Sequence, residues 1–149
     1  MAHPDSAQVL VANVHPSLEV DQHQVRRAAL EILRKEGASG ARVNVVLASD
    51  AVLGDLNSRY LGREGPTDVL AFPMGGDEYA TQSASITGEV YVSLDRAEQQ
   101  ALEFKVSFAQ EVARLVIHGM LHLCGYDHQD AQEARLMRAR EENFLESAR

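Results

Sequence analysis

The chain has 149 residues and a formal net charge of −8, with 14 basic against 22 acidic side chains, 45% hydrophobic residues and one cysteine. That length fits a single domain with a core that needs neither disulfides nor a metal staple. The acidic balance argues against a generic nucleic-acid binder, since neutralising phosphates rewards a basic surface. The lone Cys124 excludes an intramolecular disulfide and fits a reducing cytosol. No apolar run approaches a membrane span, and the first residues lack a basic leader ahead of an apolar stretch. A cytoplasmic protein is expected.

In chain order, Gln8 to Val14 is β-rich and short, and Val20 to Glu36 has helical periodicity through Val25, Ala28, Ala29, Ile32 and Leu33 before Gly37. Arg42 to Leu47 alternates as a second strand, and Ser49 or Asp50 can cap a helix running to about Leu61. Thr67 to Phe72 reads as a third strand stopped by Pro73. A Gly-rich, polar loop from Gly75 to Thr87 is long enough either to cover a cleft or to be plainly solvated. Glu89 to Ser93 is a fourth strand, followed by a helix from about Leu94 to Phe104. Ser107 and Gln110 fit a capping box at the head of a further helix, and a charged amphipathic helix from Gln129 to Leu145 can pack through Ala134, Met137 and Leu145. The fold class expected is α+β, an α/β sandwich of about four strands in a mixed sheet packed with helices. No repeats or linkers divide residues 1–149.

The helix headed by Ser107 carries the chemistry. His118 and His122 are four residues apart, so their rings leave one helix face and can share an ion. Gly125 can end the helix, because glycine enters the left-handed C-cap conformation without a Cβ penalty, and the chain then returns His128 towards the first two rings. Three imidazoles suit zinc and leave a fourth position for water, as in a catalytic site. Along this helix Glu111, Leu115, His118 and His122 share a stripe, while Val112, Val116, Gly119, Met120 and Leu123 form a broad buried arc. The spacing HxxxHxxGxxH is that of metzincins, whose general base is a glutamate after the first histidine; here that residue is Gly119, which argues against peptide hydrolysis.

The run His118-Gly119-Met120-Leu121-His122-Leu123-Cys124-Gly125-Tyr126-Asp127-His128 resembles the HGxLHLxGYDH signature of the YbeY-type bacterial endoribonucleases. Leu56-Asn57 with Tyr60, then Pro66-Thr67-Asp68-Val69-Leu70-Ala71-Phe72-Pro73, resemble the family's LNxxY and PTDVLSFP segments, and Gly88-Glu89-Val90 with Ser93 its GDIxxS strand. The resemblance covers nearly the whole chain. It implies a zinc-dependent, single-strand-specific endoribonuclease that matures ribosomal RNA at the 3′ end of the small-subunit species and serves ribosome quality control. It also implies partners: the small ribosomal subunit, one of its proteins and an assembly GTPase. Three positions depart from the family pattern. Leu61 stands where an arginine often follows the LNxxY aromatic, Ala71 replaces the usual serine and Glu89 the usual aspartate. Arg59 would point about 200° away on a helix, and Arg63 can reach the site only from the following loop.

The expected site is therefore one zinc ion on His118, His122 and His128, acting through a bound water whose pKa it lowers, with phosphodiester cleavage as the reaction. Arg63 and Arg114 are candidate phosphate contacts; Arg114 can equally pair with Glu111 one turn earlier. Cys124 reads as a small core residue rather than a fourth ligand. Asp127 can orient an imidazole or stabilise the turn. Thr67 and Asp68 place their strand beside the metal, and Asp68 is a candidate general base, although the family tolerates asparagine there. Met137 fits core packing better than a methionine turn beneath the metal. His3, His15 and His23 have no partner spacing and read as solvated or capping. Two rival functions remain: a metal-dependent hydrolase of peptides or other small substrates, and a non-catalytic ribosome-assembly factor whose zinc is structural.

Overall fold

The structure is a computed structural model. It describes residues 7–38, 40–65, 67–74, 86–126 and 131–147, and in the C-terminal helix the side chains of 132 and 135–142. The elements are β1 (Gln8–Asn13), α1 (Gln22–Lys35), β2 (Arg42–Ala48), α2 (Asp50–Leu61), β3 (Val69–Pro73), β4 (Thr87–Ser93), α3 (Leu94–Phe104), α4 (Phe108–Leu123) and α5 (Ala131–Ser147). The expected α+β class is the one observed, a four-stranded mixed sheet in the order β1-β2-β4-β3. β1 and β4 run parallel to β2, and β3 runs antiparallel to β4 at the edge.

Alternation sorts the strands into two faces. Val9, Val43, Val45, Leu47, Val90 and Val92 point to one side and meet the apolar stripes of α1, α3 and α4 in the main core. The other side carries Ala48 and Leu70, which with Leu53 of α2 form a smaller cluster edged by Val46, Leu56, Phe72 and Tyr91. α4 thus lies directly on the sheet, buried on the side away from its histidines.

Element ends follow local chemistry. Asp21, Ser49, Ser93 and Ser107 cap α1 to α4, each accepting backbone N–H groups of the first turn. At Ser107 the reciprocal Gln110 bond completes the expected capping box. Ser93 also donates to Asp50 Oδ1 at 2.6 Å, tying the starts of α2 and α3 together. α4 closes in a Schellman motif: Gly125 sits at φ +101°, its N–H donates to His122 O, and Tyr126 N–H donates to Leu121 O.

Several boundaries shift by one or two residues: β1 ends at Asn13 rather than Val14, α1 spans Gln22–Lys35 rather than Val20 to Glu36, and β2 runs on to Ala48. β3 includes Pro73 as its last residue, opposite Gly88, a position a proline can hold because β3 is an edge strand. β3 begins at Val69 rather than Thr67, and β4 begins two residues earlier than expected, at Thr87. Of the two roles expected for His15, capping is the one observed: its side chain is buried, Nδ1 accepts the N–H groups of Ser17 and Leu18, and Nε2 bonds Asp95 Oδ1 at 2.9 Å. His23 is exposed. His3, the loop from residue 75 to 85, Asp127, His128 and the side chains of Ala134 and Leu145 lie outside the described residues. Among the described residues no helix is long and apolar enough to cross a membrane.

Candidate metal centre

α4 is apolar on most of its circumference, and its half-buried line runs through Arg114, His118 and His122. Glu111 and Leu115, expected on the open stripe, are each about 1% exposed. Arg114 covers the first, and α3 packs over this half of the helix. The buried side of α4 sits unusually close to the sheet. A Cβ on Gly119 would meet Val90 Cγ1 at 2.5 Å and Val69 Cγ2 at 3.0 Å. The position that carries the metzincin glutamate therefore faces the sheet with no space for any side chain.

His118 and His122 do converge. Their Nε2 atoms are 3.2 Å apart and their ring planes lie at 71°. Two nitrogen donors about 2.0–2.1 Å from one tetrahedral zinc would stand about 3.3 Å apart, so the pair fits the edge of such a site. Among the described residues no third His, Cys, Asp or Glu joins them. His128, the third expected ligand, lies outside those residues; the turn expected at Gly125 is present as the Schellman closure of α4.

Behind His118 stands a residue that the sequence reading did not select. Glu141 of α5, about 7% exposed, bonds His118 Nδ1 through Oε1. The available signal was its position four residues after Met137, which is buried in the main core, so that a carboxylate occupies the inward stripe of an otherwise charged helix. Next to it, Arg140 bonds Glu36 at the end of α1 and donates to Tyr126 Oη at 3.1 Å, pinning α5 against the turn that leaves α4.

The remaining candidates are placed as follows. Arg114 donates through Nε and Nη2 to Glu111 at 2.9 and 2.6 Å and through Nη2 to Gln100 at 3.4 Å, and lies over the Phe104 ring. Its pKa is raised, chiefly by the Glu111 hydrogen bond, with the charges of Glu141 and Asp68 adding to the effect. Gln100 also donates to Asp68 Oδ2 at 3.3 Å, linking the start of β3 to this network. Arg63 is exposed just past α2, its N–H on Asn57 O. Leu61 and Tyr60 are exposed, and Arg59 is engaged with Asp55 on the outer face of α2. Ala71 packs against the main core, and Glu89 accepts from Tyr91 Oη at 3.1 Å. Cys124 is half-buried, and burial pushes its thiol up to about 11.

Residues 10–149 match the family model described as Endoribonuclease YbeY. Proteins named Endoribonuclease YbeY are similar over most of their length: 42% identical in Pelotomaculum thermopropionicum, covering 92% of this chain and 94% of that one. In Chloroflexus aggregans the identity is 43%, covering 89% and 90%. The solution structure of a Thermotoga maritima protein superposes with a TM-score of 0.63 at 29% identity, over 95% of this chain and 89% of that one. With a family match across all but its first residues, the chain belongs to the endoribonuclease YbeY family.

Proposed function

We propose that this chain is a zinc-dependent, single-strand-specific endoribonuclease of ribosomal RNA maturation, working in the cytoplasm on the small ribosomal subunit. The observation that supports it is the pair of imidazoles 3.2 Å apart on a helix packed against the sheet, in a chain of this family. His118, His122 and His128 are the residues that would hold zinc. Such an ion, when bound, supplies Lewis acidity at a phosphoryl oxygen and makes water a stronger nucleophile.

The chain's own contribution is placement. Because α4 is fixed by a capping box, a Schellman closure and close contact with β3 and β4, its two histidines are held by the scaffold rather than by a loop. Arg114, a third exposed on the same line as the histidines, is committed to Glu111, so Arg63 just past α2 is the candidate contact for phosphates. In a chain of net charge −8, binding to free RNA is expected to be weak and salt-sensitive. A small-subunit ribosomal protein and an assembly GTPase would present the substrate. The peptide-hydrolase alternative finds no support at Gly119, where the packing against Val90 leaves no space for a carboxylate.

The test compares wild type with His122→Ala for zinc content and for cleavage of a small-subunit ribosomal RNA precursor at low and moderate salt. Near-stoichiometric zinc and cleavage in the wild type, both reduced in the variant, is the result expected. Bound zinc with equal background cleavage in the two proteins overturns the nuclease.

A further inference from the structure

We propose that Glu141 is a positioning residue of the metal centre: by accepting from His118 Nδ1 it fixes the ring so that Nε2 faces His122, and thereby sets the affinity for zinc. The inference rests on the metal site read above and adds to it a residue from a different helix.

A carboxylate in a low-dielectric interior is costly unless its charge is met by hydrogen bonds or ions. Glu141 is buried at about 7% exposure, and its bond to His118 joins residues 23 apart, from α5 to α4. An ionised carboxylate can only accept, so the shared proton belongs to Nδ1. Nε2 is then the nitrogen with the free lone pair, and it is the one 3.2 Å from His122 Nε2. Carboxylate, ring and donor atom lie in the order by which a supporting carboxylate raises the basicity of a ligating histidine.

The surrounding charges agree. Arg114 is in the field of Glu111, Glu141 and Asp68. Its hydrogen bonds go to Glu111 and Gln100, so the guanidinium is turned to Glu111. Arg140, adjacent in sequence, bonds Glu36 and Tyr126 and so holds this turn of α5 in position to present Glu141.

The experiment uses the full chain with Glu141→Ala, Glu141→Gln and Glu141→Asp. Zinc affinity is measured by competition with a chromophoric chelator, the thermal midpoint of each metal-free protein is recorded, and long-range proton–nitrogen correlations report the His118 tautomer. Glu141→Ala is expected to weaken zinc binding about ten- to a hundredfold and to release the tautomer preference. Glu141→Gln, a neutral acceptor of the same shape, is expected to retain the tautomer and recover part of the affinity, and it carries the test if the alanine variant fails to fold. Wild-type zinc affinity in Glu141→Gln together with Glu141→Ala or Glu141→Asp, or an unchanged tautomer in Glu141→Ala, overturns the inference. A wild-type protein that binds zinc and leaves RNA intact removes the nuclease reading while the variants still decide this one; a wild type that binds no zinc overturns both.

Discussion

Gly119 and Val90 are in such close apposition that a Cβ on the glycine would lie 2.5 Å from the valine Cγ1. The contact seats α4 on β4 and β3, and through α4 it sets the height of His118 and His122 above the sheet.

Gly119→Ala is therefore expected to overpack this contact and to destabilise the fold by about 1–3 kcal/mol. Val90→Ala, which removes the offending methyl groups, should recover part of that loss in the double variant, although it costs stability by itself. Urea unfolding of the four proteins checks this. Simple additivity of the two single effects would show that the glycine is not required by this approach.

Chelation should remove zinc and RNA cleavage without unfolding the protein. The main core closes through valines, leucines and isoleucines of the sheet, α1, α3 and α4, so the metal is not needed as a staple. The thermal midpoint should fall only by the mass-action contribution of the lost ligand, with the far-ultraviolet dichroism retained. Collapse of the secondary structure on chelation would mark a structural zinc instead.

Cys124 gives a sharper test of the ligand set. Burial raises its thiol to about 11, whereas coordination to zinc would pull it far down as the thiolate. Alkylation at neutral pH is expected to be slow both with and without metal, and Cys124→Ser should keep the zinc stoichiometry of the wild type. Loss of one equivalent in that variant would make the cysteine a ligand.

Acid sensitivity is expected from Asp95. Its carboxyl is held below the usual value of 3.8, first by the Asp50 N–H and then by His15. The folded state therefore binds its proton less tightly than the unfolded chain. The stability this confers is present above the unfolded value and is lost as pH falls through the lower folded value. Asp95→Asn should be less stable than wild type near neutrality, and the gap should narrow as the pH is lowered past 3.8. A gap that stays constant down the acid limb would remove Asp95 from the account.

The four strands, α1 to α4 and the histidine pair were legible because each rests on local regularity. Alternating valines mark β2 and β4, serines or an aspartate mark the helix starts, and the four-residue interval marks His118 and His122. Glu111 and Leu115 were misplaced on the open stripe for a reason that periodicity cannot express. A helical wheel gives angles but not what covers them, and here Arg114 folds over one residue while α3 covers the flank. Glu141 was missed because its meaning lies entirely in a contact 23 residues away; within α5 it is one charge among many. The Gly119 packing was half visible, since the glycine was noticed as a missing carboxylate, whereas its cause lies in Val90 and Val69 across a tertiary contact.

The ion pair between Glu36 and Arg140 spans 104 residues, so the closure of that loop must be met before the contact stabilises anything. Synthesis proceeds from the N-terminus, so α1 and its Glu36 are made long before Arg140 exists. The residue after Arg140 is the one that holds the His118 ring. Docking of α5 thus joins Arg140 to Glu36 across 104 residues and places Glu141 against the His118 ring. The carboxylate that holds the His118 ring is supplied from the last helix of the chain, made after both histidines.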